Sequence, residues 1–211
     1  MFELEYKGAN GVIITTKKAK LVIDPKLSIV GLKDIPTKDV VELATEERFS
    51  SSNLDASLMI EGPGEYGVAG LDIKGIACQR HLDAESEGLK STIYRIEIGD
   101  LRVGLIGNIY EKLSDEQLEE LGLIDILIIP VGGNGYTLDA TGAASLVRLI
   151  DPKIVIPVHY ADSAIKYEVP QAELGVFVSE LGAPLETVSK YKLKQLPIPQ
   201  ATLSIIEVTR S

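Results

Sequence analysis

Two β-branched runs, Gly11-Val12-Ile13-Ile14-Thr15-Thr16 and Lys20-Leu21-Val22-Ile23-Asp24, are separated by the polar Lys17-Lys18 step and predict a hairpin near the start of the chain. Residues 26–57 are irregular, rich in Thr, Glu and Ser, and hold no long periodic helix. From residue 57 strands and turns alternate: 57–60, the turn Gly62-Pro63-Gly64-Glu65, then 66–68, 71–78, 91–98 and 101–106. Gly99-Asp100 between the last two is a short hairpin signal.

The rhythm then changes. Ser114-Asp115-Glu116-Gln117 reads as a capping box for a helix to about Leu121, with Gly122 as its stop. The strand over 125–130 is continuously apolar through Ile126-Leu127-Ile128-Ile129, the pattern of a strand covered on both faces. Asp139 caps a helix through Ile150, Asp151-Pro152 ends it, and 153–158 is a second apolar strand. A helix over 171–181, stopped by Gly182, precedes strands near 185–193 and 201–208. Strands first and helix–strand units later imply an α/β (α+β layered) sandwich. No Gly/Ser or Pro-rich tract divides the chain, so 1–211 reads as a single domain.

Composition narrows the function classes. With 211 residues, 45% hydrophobic and 25% charged, the chain suits one packed core. No run approaches a membrane span, and Met1-Phe2-Glu3-Leu4-Glu5 carries acids where a signal peptide would carry Lys or Arg, so a cytoplasmic protein with no membrane partner is expected. The lone Cys78 excludes an internal disulfide and a thiolate zinc knuckle, and reads as small core filler. A net charge of −10 argues against nucleic acid as a partner, because phosphate-backbone binding needs clustered Lys and Arg. The densest basic group, Lys190, Lys192 and Lys194, reads as a solvated strand face.

The segments Leu127-Ile128-Ile129-Pro130-Val131-Gly132-Gly133, Tyr136-Thr137-Leu138-Asp139-Ala140 and Pro152-Lys153-Ile154-Val155-Ile156-Pro157-Val158-His159-Tyr160 resemble the C-terminal half of the metallo-β-lactamase superfamily. The resemblance is to its small lactonase-like zinc-dependent hydrolases, the L-ascorbate-6-phosphate lactonase-like branch. Asp24-Pro25, Pro63-Gly64-Glu65-Tyr66 and Leu105-Ile106-Gly107-Asn108 fall where that branch has its own motifs. The resemblance implies a metallo-β-lactamase-type four-layer αββα sandwich. It also implies a site where imidazoles and carboxylates hold zinc, which acidifies a bound water into an attacking hydroxide.

In that family the ligands come from a His-x-His-x-Asp-His loop, a middle His, an Asp in a Gly-Asp step and a late His. By resemblance the late His is His159 and the middle one His81. The loop corresponds to Glu46-Glu47-Arg48-Phe49-Ser50-Ser51, so its imidazoles become Glu46, Arg48 and Ser51 and its carboxylate becomes Ser50. The Asp becomes Asn108, and Gly8-Ala9 stands where the family often places a His after Gly. With two histidines in the whole chain no His-rich zinc site can be assembled, and Arg48, always charged, repels a dication.

The expectation is therefore a vestigial site (Glu46, Arg48, Ser50, Ser51, His81, Asn108, His159) with no metal cofactor. Its cleft, bordered by Gly132, Gly133, Tyr136 and Thr137, would be reused to bind a small molecule or a protein, and homo-oligomers are compatible with the branch. The alternative is an active hydrolase of lactones, phosphoesters or thioesters, its metal rebuilt on His81 and His159 with oxygen from Asn108, Glu46 or Glu65. Blander readings stand beside both. His81 and His159 can be ordinary hydrogen-bonded histidines, and Glu46-Glu47 either a hard-cation site or a solvated acidic turn balanced by Arg48. Ser50-Ser51-Ser52 lacks a nucleophile elbow, and Gly132-Gly133-x-Gly135 serves equally as a phosphate cradle or a glycine turn.

Overall fold

The structure, a computed structural model, describes residues 2–51, 55–83, 88, 90–193, 198 and 202–211. The first strands are β1 (Phe2–Gly8), β2 (Gly11–Thr16), β3 (Lys20–Ile23), β4 (Val41–Leu43) and β5 (Leu58–Ile60). They are followed by β6 (Gly64–Val68), β7 (Leu71–Cys78), β8 (Ser91–Ile98) and β9 (Leu101–Leu105). The second half alternates α1 (Asp115–Leu121), β10 (Ile126–Pro130), α2 (Ala140–Ile150), β11 (Ile154–Val158) and α3 (Leu174–Leu181), and ends with β12 (Leu185–Val188), β13 (Tyr191–Leu193) and β14 (Ser204–Val208).

Two sheets result: a six-stranded one in the order β13-β1-β2-β3-β4-β5 and an eight-stranded one in the order β12-β14-β11-β10-β9-β8-β7-β6. Their facing sides interdigitate Leu4, Tyr6, Ile14, Leu21 and Leu43 with Tyr94, Ile96, Val103, Ile128 and Ile156. The helices cover the outer face of the larger sheet, where Leu127 and Ile129 of β10 meet Leu146 and Val147 of α2 and Phe177 of α3. Alternate residues of β10 thus enter different cores, which is why its sequence is apolar throughout. The outer face of the smaller sheet is closed by a 3-10 turn, Leu27–Val30, and by coil carrying Ile35, Val40 and Ile165.

Local chemistry sets several boundaries as expected. The Ser114 hydroxyl accepts from the Gln117 amide while Gln117 Oε1 accepts from the Ser114 amide, completing the capping box of α1. Asp139 accepts from the Gly142 amide at the start of α2. Cys78 is buried, and burial pushes its thiol up to about 12, so it packs as an apolar group.

Other boundaries differ. Strand β1 adds to the elements expected from the sequence: Phe2, Leu4 and Tyr6 alternate with half-buried Glu3, Glu5 and Lys7 in the period of a one-sided strand. Strand β4 lies inside the stretch read as irregular; three residues are too few to show a period. Helix α3 begins at Leu174, not 171, since the Ala172 amide donates to the Gly132 carbonyl and its carbonyl accepts from the Ala161 amide. The run 185–193 is two strands in different sheets: β12 joins β14 and β13 joins β1, so the chain crosses the sandwich between them. Lys190 and Lys192 meet Glu3 and Glu5 of β1, which neutralises that basic face; Lys194 lies outside the described residues.

Strands β9, β10 and β11 run parallel, as do β3, β4 and β5 in the other sheet. Loops leaving the carboxyl ends of parallel strands are where such sheets place their ligands. Here they carry Asn108, the segment 131–137 and His159 from one sheet, and Asp24 and Glu46 from the other. Gly132 lets two of these loops touch, because a Cβ there would overlap the His159 carbonyl oxygen and the Gln171 side chain. Gly132→Ala is predicted to cost about 1–3 kcal/mol through this overlap, read as a lower urea midpoint; an unchanged midpoint would show that the loops give way freely.

Candidate functional site

The smaller sheet delivers a buried carboxylate. Glu46 follows β4, and its side chain is 2% exposed. Arg48 grips it with two hydrogen bonds, Nε to Oε2 at 2.8 Å and Nη2 to Oε1 at 3.2 Å, and Arg80 adds a third from Nη1 to Oε2 at 3.3 Å. Burial raises the Glu46 carboxyl pKa, and both guanidiniums pull it back down. The Arg48 guanidinium lies 4.7 Å from the Phe49 ring centroid and 5.2 Å from that of Tyr136, so aromatic faces hold it in place.

Ser50 and Ser51 serve a different carboxylate. The Ser50 hydroxyl donates to Glu42 Oε1, and the Ser51 amide and hydroxyl donate to Oε1 and Oε2 at 2.8 and 2.5 Å. Glu42 is fully buried on β4, so these bonds satisfy a charge-bearing group that would otherwise be orphaned. Beside them Asp24, at φ 46°, accepts from the Thr45 amide and hydroxyl, each at 2.7 Å. Burial outweighs those bonds and pushes its carboxyl up to about 7.

The larger sheet contributes neutral polar groups. His159 is buried at φ 52°, a backbone conformation rare for a side chain of this size. Its Nδ1 lies 3.2 Å from Asn10 Oδ1, and its ring stacks against Tyr136 at 5.3 Å and Tyr167 at 4.7 Å. Burial, with the Arg48 charge nearby, pushes its imidazole down to about 3, so it is neutral at ordinary pH. Asn108 and Thr137 are fully buried. Their side-chain polar atoms, His159 Nε2 and His81 Nδ1 have no hydrogen-bond partner among the described residues.

His81 opens the 3-10 turn His81–Asp83, and its amide donates to the Asn108 carbonyl at 2.9 Å. The two imidazoles are linked through charge: His159 stacks on Tyr136, Tyr136 lies under Arg48, Arg48 binds Glu46, and Glu46 binds Arg80, the residue before His81. A cavity of about 10 Å³, room for a water, is bounded by Asn10, Asp24, Leu27, Phe49, Tyr136 and His159.

The structure therefore brings together Glu46, Arg48, Tyr136 and His159, with Asn108 and Thr137 in the loops that follow β9 and β10. Glu65 is not among them: it sits on the edge strand β6, 82% exposed and facing Lys74. Arg80 was missed by sequence reasoning, because its partner is 34 positions away and no local spacing announces it. Glu42 and Asn10 were missed too; a charged residue inside the short run Val41-Glu42-Leu43 was the available signal for the first.

Several of these groups are committed to other partners. The Glu46 carboxylate is committed to two guanidiniums, Ser50 and Ser51 face Glu42, and a fixed cation stands beside His159. Among the described residues no three His, Cys, Asp or Glu side chains gather as a metal-binding group.

Two facing sheets, helices on one outer face and a site at the carboxyl ends of parallel strands define a metallo-β-lactamase-type sandwich. Residues 3–159 match the model of the beta-lactamase superfamily domain, and the chain belongs to that superfamily. It is similar to a UPF0173 protein of Pyrococcus abyssi, 33% identical over 90 residues, 40% of this chain and 41% of the relative. It is also similar to a UPF0173 metal-dependent hydrolase of Carboxydothermus hydrogenoformans, 44% identical over 43 residues, 20% of this chain and 19% of the relative. The chain thus spans about two fifths or less of the length of these curated relatives. A solved chain of the metallo-beta-lactamase superfamily from Thermotoga maritima superposes with a TM-score of 0.77 over 99% of this chain and 100% of its own. At 21% identity that likeness establishes the fold. No helix among the described residues is long and apolar enough to cross a membrane.

Two predictions follow from the burial of these groups. Arg48→Met is expected to cost about 3 kcal/mol, the low end for a buried pair losing a partner because Arg80 remains, and Glu46→Leu added to it should recover most of the loss. Urea unfolding reads both, and an unchanged single variant would show that the cluster carries no stability. Asp24 binds its proton more tightly folded, at about 7 against 3.8, so its contribution is fullest below 3.8 and is lost as pH rises through about 7. Wild type should therefore lose stability relative to Asp24→Asn across that window; parallel pH profiles would contradict the burial.

Proposed function

We propose that this chain is a metallo-β-lactamase-fold protein in which an arginine–glutamate cluster has replaced the metal, and that it acts by binding and not by hydrolysis. The observation that carries the reading is that Glu46 and Arg48, at two positions where the resemblance places metal ligands, bind each other, with Arg80 as a further partner of the carboxylate. A cation there would displace or repel the guanidiniums. Burial pushes the His159 imidazole down to about 3, which makes it a weak base toward water. A single domain and a cytoplasmic location belong to this proposal, the latter supported by one buried thiol.

A second reading, a metal-dependent hydrolase, is favoured by the comparisons, because relatives carry that name. Unpartnered atoms on His81, Asn108 and His159 also favour it, since all three occupy inherited ligand positions. Elemental analysis of protein purified without chelator separates the two. The proposal predicts metal far below one ion per chain, and metal uptake only after Glu46→His, Arg48→His, Ser50→Asp and Ser51→His are combined. Stoichiometric metal in wild type, or metal-stimulated ester or lactone hydrolysis lost in His159→Ala, would overturn it.

A further inference from the structure

Two sulfur atoms belong to the described residues, and they differ in their access to solvent. Cys78 is 1% exposed and its thiol is pushed up to about 12, so it is neither accessible nor a ready thiolate. Met59 is 36% exposed. It is the middle residue of β5, the last strand of the smaller sheet, which pairs on one side alone among the described residues. An oxidant arriving from solvent therefore meets the Met59 thioether first.

Met59 is tied to the interior through one hydroxyl. Its register partner on β4 is Glu42, so the two side chains stand next to each other on one face of the sheet. Glu42 is fully buried, and its side chain accepts from the Ser50 hydroxyl at 3.1 Å and from the Ser51 amide at 2.8 Å. The same Ser50 hydroxyl points at Met59 Sδ, 3.3 Å away. One proton thus lies between a carboxyl oxygen and a sulfur. A thioether is a weak acceptor, so the hydroxyl belongs to Glu42. A sulfoxide oxygen is a much stronger acceptor, and on Met59 it would draw the same proton.

We propose that Met59 is a site of reversible oxidation by hydrogen peroxide, and that its sulfoxide unlatches the segment 47–51 from Glu42. The sulfur lone pair attacks one peroxide oxygen, the O–O bond breaks and an S–O bond forms. Sulfur loses two electrons, the peroxide is reduced, and its second oxygen leaves as water after proton transfer. The product places a bulkier polar group beside a buried carboxyl group and takes a donor from it, which lowers stability. Because the same segment carries Arg48, the latch also steadies the hold on Glu46. Neither Glu46 nor His159 takes part in the oxidation, so the step is the same whether or not the cleft holds a metal.

Peroxide treatment of the full chain, with peptide mapping that separates Met59 from Met1, tests the proposal. Met59 is expected to gain one oxygen while the chain is folded, and the oxidised protein to unfold at a lower urea concentration. A mixture of the two methionine sulfoxide reductases should restore the midpoint, and Met59→Leu should show no shift under the same treatment. Ser50→Ala removes the hydroxyl that passes the change to Glu42, so oxidation should lower its midpoint by less than in wild type. In the wild-type chain itself, hydrogen exchange at the Ser51 amide should quicken about fivefold on oxidation, the equivalent of one hydrogen bond. Met59 left unmodified by peroxide that fully converts free methionine overturns the site. An oxidised chain with unchanged midpoint and unchanged Ser51 exchange, or an equal shift in Ser50→Ala, overturns the latch.

Discussion

A carboxylate cannot be buried alone, and the organisation of this site follows from where Glu46 finds its countercharges. One partner, Arg48, comes from the same loop two residues on; the other, Arg80, comes from the segment just after β7 of the opposite sheet. The cluster therefore ties the two halves of the sandwich together at the edge where their parallel strands end. Removing a buried ion's partner is far more costly than never having the pair, so the three residues are expected to change together or not at all.

The rest of the site is arranged around that cationic centre. Tyr136 and Phe49 lay their faces against Arg48, and Tyr136 in turn covers His159. Burial and the guanidinium charge act in the same direction on the imidazole, so the histidine is kept neutral and serves as a packed polar surface. Positive φ at Asp24 and His159 shows that both loops are held in conformations that non-glycine residues avoid, which surrounding contacts must enforce. Gly132 contributes by letting the loop after β10 approach the His159 backbone.

Much of this fold was legible in the chain. Wherever a pattern was long and local it was decisive: the apolar run of β10, the Asp139 cap and the Ser114–Gln117 box all appear as read. Short or shared elements were not legible, because β4 has three residues and the 185–193 run contains no feature saying that its halves join different sheets. The superfamily was legible from the late motif around His159, and the match over residues 3–159 agrees. Replacement of the loop residues could be listed from the sequence, but what the replacements do could not. Arg48 read as a repulsive charge and became half of an ion pair; Ser50 and Ser51 read as lost ligands and became the partners of Glu42. Both outcomes depend on contacts that only the folded chain creates.

Guanidinium nitrogens of Arg48 and Arg80 surround the Glu46 carboxylate. A crystal structure with anomalous data on both sides of the zinc absorption edge tests it most directly. Continuous density from Arg48 and Arg80 to Glu46, with no anomalous peak nearby, is the expected result. A fully occupied peak about 2.0–2.2 Å from a Glu46 carboxylate oxygen or about 2.0–2.1 Å from His159 Nε2, the bond lengths of zinc to carboxylate and to imidazole, would contradict it.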